Sequence, residues 1–207
     1  GARDAMLSGE TVPELKGRVF GFHRAFDTLG AAIGPTVALG FLFFYPLEYR
    51  LLFFVAFIPG ILAIVLTFFL RENKQLKTVV DQTISYNPFR YLQYWKKAPI
   101  AYKRLVLGLL AFALVNSSDV FLLLVMKSRG FADTTILGIY IFYNAVYALS
   151  SYPLGAVGDK FGLKTTFLVG LTLFAIVYGG MAVATSWEFY FSLFFLYGVY
   201  AAATEGI

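Results

Sequence analysis

Six stretches of this 207-residue chain are long and almost uninterruptedly apolar: Val19–Tyr45, Leu51–Leu70, Leu105–Met126, Thr134–Val157, Thr165–Ala184, and Trp187 to the end. A bilayer core is about 30 Å thick, and a helix needs about 20 mostly apolar residues to cross it. Each stretch meets that length, which predicts an all-α transmembrane bundle of about six full spans. Residues 1–8 read as the tail of one more span. The composition agrees: 59% of residues are hydrophobic and 14% charged, against about 25% charged in soluble domains. The chain opens on "GARD", with neither an initiator methionine nor a signal peptide, and closes inside an apolar segment. It is therefore expected to be an internal piece of a longer polypeptide.

Several function classes drop out. There is no cysteine and a single histidine, so no disulfide framework and no ordinary zinc site is expected. "GDKFGLKTT" (158–166) has a phosphate-loop flavour, but Leu163 separates Gly162 from Lys164 where glycine and lysine should be adjacent. No soluble-enzyme motif survives, so the chain is not expected to be an enzyme. No metal, cofactor or nucleotide is expected.

The connections alternate in charge. Segments 9–18, 71–104 and 158–164 hold twelve lysines and arginines, whereas the opposite set holds only Arg50, Lys127 and Arg129. The positive-inside bias assigns the basic set, including the long central loop, to the cytoplasm. The expected location is the plasma membrane, a bacterial inner membrane, crossed many times. The net charge of +5 belongs to these loops and calls for no nucleic-acid partner. "NPFRYLQYWKKAPIAYKR" mixes aromatic and basic residues, as a helix lying among lipid headgroups would. The plainer reading of that segment is a linker between helix bundles.

Charged and polar groups within apolar runs mark candidate sites. In "GFHRAFDTLGAAIGP" (21–35), His23 and Arg24 stand four and three residues before Asp27, so all can meet on one helix face. Gly30 and Gly34 continue that stripe, flat enough for a close helix neighbour, and Pro35 can bend the helix. Either Arg24 and Asp27 neutralise each other at the interface, or Asp27 carries a proton or binds a cation. "LVNSSDVFLLL" is expected to set Asn116 and Asp119 on one face of a single helix, either as an outer proton or cation site or as a paired carboxylate. Asn144, among Tyr140, Tyr143 and Tyr147, could line a cavity or pack against a neighbour. Glu205 is a further intramembrane carboxylate, and Tyr190, Tyr197 and Tyr200 read as a packed aromatic face.

Two motifs carry a resemblance. Gly21, Gly30, Gly34 and Pro35 fit Gly-x8-Gly-x3-Gly-Pro, with Ala38 and Leu39 where a glycine pair would follow. This resembles the fifth-helix antiporter motif of the major facilitator superfamily. Gly155, Asp159, Lys160, Gly162 and Lys164, with Leu163 in place of an arginine, resemble that family's cytoplasmic-loop motif between helices 8 and 9.

The resemblance implies a partial family fold running from the end of helix 4 to helix 10. Residues 1–70 would close the N-terminal bundle, 71–103 would form the cytoplasmic central loop, and 104–207 would begin the C-terminal bundle. It implies a secondary transporter working by alternating access, with Asp159 favouring one access state through a charge and helix-terminus contact. Proton-coupled export is the activity implied most directly. A facilitator, a symporter, or a sensor or scaffold of the same fold are the alternatives. The partners would be a small-molecule substrate, protons, the bilayer, and helices 1–3 and 11–12 of the same polypeptide.

Overall fold

The computed structural model describes residues 2–69 and 90–205, with the side chains of 2, 3 and 90–93 excepted. Most of the central loop expected at 71–103, with Arg71, Lys74 and Lys77, lies outside the described residues. Apart from short connections the described residues are helical, and no strand occurs among them. Its helices are α1 (Ala2–Gly9), α2 (Lys16–Phe44), α3 (Tyr49–Phe68), α4 (Arg90–Lys97), α5 (Ile100–Val115), α6 (Asp119–Ser128), α7 (Asp133–Phe161), α8 (Leu163–Val183) and α9 (Trp187–Glu205). A short 3-10 turn, Pro13–Leu15, leads into α2. Its proline suits a helix start, where an amide hydrogen has no partner to lose.

Four helical stretches are long and apolar enough to cross a membrane: Pro13–Phe44, Tyr49–Phe68, Ile100–Ser128 and Leu163–Val183. The remaining long helices, α7 and α9, are the more polar ones and also the most buried. They carry Tyr143, Asn144, Tyr147 and Ser151, and Tyr190, Tyr197 and Tyr200, respectively, inside the bundle. Lipid rewards apolar surface, so polar residues are drawn to the helices that other helices cover.

One span differs from its sequence expectation. The apolar stretch 105–126 is not a single helix: α5 stops at Val115, residues 116–118 are non-helical, and α6 starts at Asp119. Asn116 and Asp119 therefore do not share a face of one helix. Asn116 closes α5, its amide bonding to the Phe112 carbonyl, while Ser118 caps α6 by accepting from the Val120 amide. Asn and Ser side chains compete for backbone groups in this way, which makes "NSS" a natural place for a helix to end and restart.

α7 occupies the centre. α2 packs along one side of it and α9 along another, α8 packs on α9, and α6 touches α7. Met126, Val177, Tyr190, Phe194, Tyr200 and Ala202 form the most deeply buried part of the core. α3 has no buried residue, and Phe53, Phe54, Phe57 and Phe68 stand outward on it. The turn between α7 and α8 falls on Gly162 at φ +92°, a left-handed conformation that glycine adopts without the steric cost of a Cβ.

Candidate functional site

Five residues of α7 at every fourth position make the contacts that matter: Tyr143, Tyr147, Ser151, Gly155 and Asp159. Successive fourth residues on an α-helix advance about 400°, so the row winds about 40° around the axis at each step. Over the row this is about 160°. The N-terminal end of this ridge thus faces α6 and α9, and its C-terminal end faces α2.

At the first position, Tyr143 Oη donates to Asp119 Oδ2 at 2.5 Å, and Tyr197 Oη on α9 donates to Asp119 Oδ1 at 2.8 Å. Each carboxylate oxygen thereby receives one phenol. Next to it Ser117 Oγ lies 2.7 Å from Tyr178 Oη of α8, and the Ser117 amide donates to the same phenol at 3.3 Å. Tyrosines from three helices converge on the helix break. Depth follows from position. Tyr143 lies ten residues after Asp133, Tyr197 ten after Trp187, and Asp119 nine before Ser128. At about 1.5 Å per residue Tyr143 and Tyr197 sit about 15 Å in from the N-termini of α7 and α9, and Asp119 about 13 Å in from the C-terminus of α6, close to the middle of a bilayer core.

One turn further along α7, Tyr147 Oη donates to Glu205 Oε2 at 2.9 Å. Arg24 reaches the same residue from α2, its Nε and Nη2 donating to the Glu205 carbonyl at 3.2 and 3.0 Å. Arg24 also faces Asp27 across 3.5 Å, in a pair that is one-third to one-half exposed. The cation–carboxylate pair expected within α2 is therefore present as a contact, and it is tied to α9 as well. His23, half-buried, makes no bond in this group. Asn144 is buried, and its amide donates to the Tyr140 carbonyl of its own helix. Asn116 is exposed at the break.

The lower part of the ridge seals against α2. Gly21 packs on the Ser151 carbonyl, and Gly155 on the backbone of Gly17. A methyl group added at any of these three glycines would overlap backbone across the seam. At its end Asp159 Oδ1 accepts from the Gly17 amide at 2.7 Å, and Oδ2 from the Arg18 amide at 2.9 Å. These are the second and third residues of α2, the amides an N-cap side chain normally satisfies. Leu15, at the cap position, offers no side-chain bond, so α7 caps α2 across 141–142 residues of sequence. The Asp159 side chain is only 8% exposed, with Arg18 Nε 3.8 Å away.

The other motif residues stand differently. Gly30 and Gly34 have open space where a Cβ would be. The buried stripe of α2 is instead Gly17, Gly21, Thr28 and Ala32. Pro35 lies within α2 without ending it. Lys160 sits over the Phe161 ring at 5.2 Å, Gly162 makes the turn, and Lys164 starts α8 exposed. Among the described residues no group of histidine and carboxylate side chains is placed to hold a metal.

Sequence reasoning had no purchase on Gly17, Arg18, Ser151 or Tyr178. It placed Tyr197 in a packed aromatic face, where the structure adds a hydrogen bond to Asp119. The signal for Gly17 and Ser151 was there to find: Tyr-x3-Tyr-x3-Ser-x3-Gly-x3-Asp along α7, and a matching Gly-x3-Gly at residues 17–21 on α2.

No solved structure shows a significant match to the chain. An uncharacterized MFS-type transporter of Methanocaldococcus jannaschii is 30% identical over 210 aligned positions, covering 99% of this chain and 50% of that protein. The chain thus spans about half the length of the curated relative it matches. The sequence model of the Major Facilitator Superfamily matches residues 2–205. With a seam of small residues, a carboxylate cap between helices and a helical membrane-spanning frame already in place, the match identifies the chain as a member of the major facilitator superfamily and an integral, multi-pass membrane protein.

Proposed function

We propose that the chain is part of a secondary transporter that moves a small molecule by alternating access, coupled to protons and directed outward as export. Residues 1–70 belong in this reading to one helix bundle and 104–207 to the other, joined by a cytoplasmic loop at 71–103. The membrane is the plasma membrane. The observation that carries the reading is the α2–α7 seam. It joins helices on either side of the central loop through backbone contact and an Asp159 cap. Such a contact has to break if the two bundles rock, so its strength sets the balance between two packed states. The charge bias puts this end in the cytoplasm, which makes the described conformation the one sealed on that side. Coupling to protons is supported by Asp119 and Glu205, carboxylates at membrane depth held by neutral phenols.

The test reconstitutes the complete polypeptide into liposomes with a trapped pH-sensitive dye. An imposed pH gradient should drive accumulation of a small-molecule substrate, and adding that substrate should move protons the opposite way. Substrate movement indifferent to the gradient would remove the coupling. Binding without flux would remove transport and favour a sensor or scaffold.

A further inference from the structure

We propose that Asp119 is a proton-operated latch on the half-helix α6. When ionised it is clamped by Tyr143 and Tyr197, and when it takes a proton α6 is freed to pivot about the break at residues 116–118. This deepens the proton-coupled reading and depends on it for the link to flux, though the latch itself can be tested without transport.

The break supplies the pivot. With residues 116–118 out of helix, α6 is not carried rigidly by α5. Its inward stripe is Asp119, Leu122 and Met126, at helical spacing; Leu122 and Met126 are 4% and 0% exposed. The two apolar side chains give packing without direction, so α6 can slide against the core. The fixed point is Asp119. Two O–H donors on one carboxylate make charge-assisted bonds, about twice as strong as neutral ones. Uptake of one proton by a carboxylate oxygen forms one O–H bond and cancels the charge. The acid gains a donor and keeps lone pairs to accept with, but both phenol bonds then fall to the weaker neutral kind and the clamp loosens.

The surroundings leave the proton as the natural switch. α7 presents Tyr143 and, further off, Tyr147 to this carboxylate, α9 presents Tyr197 and, further off, Tyr200, and α8 presents Tyr178 through Ser117. Among the described residues no cation pairs with Asp119; Lys127, two turns along α6, is engaged with Asp133 at 3.0 Å. Glu205, the nearest further carboxylate from α9, is held by Tyr147. Asp119 is also only partly buried. Asp159 is sealed against backbone amides.

Spin labels at Ser128→Cys and Thr185→Cys, both exposed at the outer ends of α6 and α8, read the movement in the complete polypeptide on an otherwise cysteine-free background in nanodiscs. Between about pH 8 and about pH 3, either side of the free aspartate value of about 3.9, the distance distribution should pass from one narrow population to a second, displaced one. Asp119→Asn, which resembles the protonated acid, should show the second population at every pH. Tyr143→Phe should enlarge the second population, because one bond to the charged form is lost. Replacing choline with sodium at fixed pH should change nothing. A pH-invariant distribution, an Asp119→Asn variant that still titrates, or a shift driven by sodium instead of pH would each overturn the latch. A titrating distance with no gradient-driven flux would keep the latch and discard the transport reading.

Discussion

The two ends of the α7 ridge do different work with the same spacing. At the C-terminal end, Ser151, Gly155 and Asp159 close on α2 by proximity of backbones, and the carboxylate there is occupied by two amides. At mid-depth, Tyr143 and Tyr147 hold carboxylates through phenol hydroxyls. Amide donors are fixed parts of a helix terminus and hold a charge in place whatever the surrounding water does. Phenols turn about a bond and can accept as readily as they donate. A seam of the first kind is set by shape, and one of the second kind by protonation. One helix row carries both because its winding turns successive side chains toward different neighbours.

The sharpest way to break the contrast is to crowd the seam. Gly155→Val places methyl groups into the Gly17 backbone, and overpacking of this kind costs about 1–3 kcal/mol. Thr28, buried on the same face of α2, then becomes accessible: labelling of Thr28→Cys by a water-soluble maleimide should rise about tenfold. The mid-depth response to pH should persist in that variant, seen with the label pair on α6 and α8. Asp159→Asn comes next. It keeps the size but loses the charge from two backbone bonds, each worth about 1.5–3 kcal/mol to a charged acceptor. The same labelling should rise severalfold, with Asp159→Glu intermediate, and the rise should be equal at neutral and mildly acidic pH. Strong pH dependence there would erase the distinction between the two ends.

Tyr147→Phe has a smaller effect. It removes one hydroxyl bond to Glu205, about 1–2 kcal/mol, and should lower the thermal midpoint of the purified protein by a few degrees while leaving Thr28→Cys labelling near its original rate. Asp27→Asn is the mildest. Its pairing with Arg24 is partly exposed and long, and such pairs contribute about 0–1 kcal/mol. The midpoint should scarcely move. Loss of the pH response in that variant would transfer the proton role from Asp119 to Asp27.

The architecture was legible because lipid imposes a length. Apolar stretches such as Leu51–Leu70 and Thr165–Ala184 reappear as α3 and α8 within a few residues. The basic loops and the two glycine motifs carried the family resemblance. The break within the apolar stretch 105–126 was not read, since "NSSD" inside an apolar run resembles a polar patch on a helix as much as a pair of caps. Which glycines meet a neighbour was also hidden. Gly30 and Gly34 sit in the motif, yet the contacts fall on Gly17 and Gly21, because a motif fixes spacing along one helix and not the rotation of that helix toward the next. Asp119 stood out as a charge in oil. Its partners Tyr143 and Tyr197 are 24 and 78 residues away, and pairing over such separations is a property of the packed bundle.

Proton binding can be followed without knowing the substrate. Complete protein in liposomes adsorbed to a sensor should give a transient charge displacement after an acidic pH jump. With Asp119 as the proton acceptor, that transient is present in the unaltered protein, in Asp159→Asn and in Asp27→Asn, and is lost in Asp119→Asn. A full-sized transient in Asp119→Asn, or its loss in Asp159→Asn alone, would contradict the division of labour along α7.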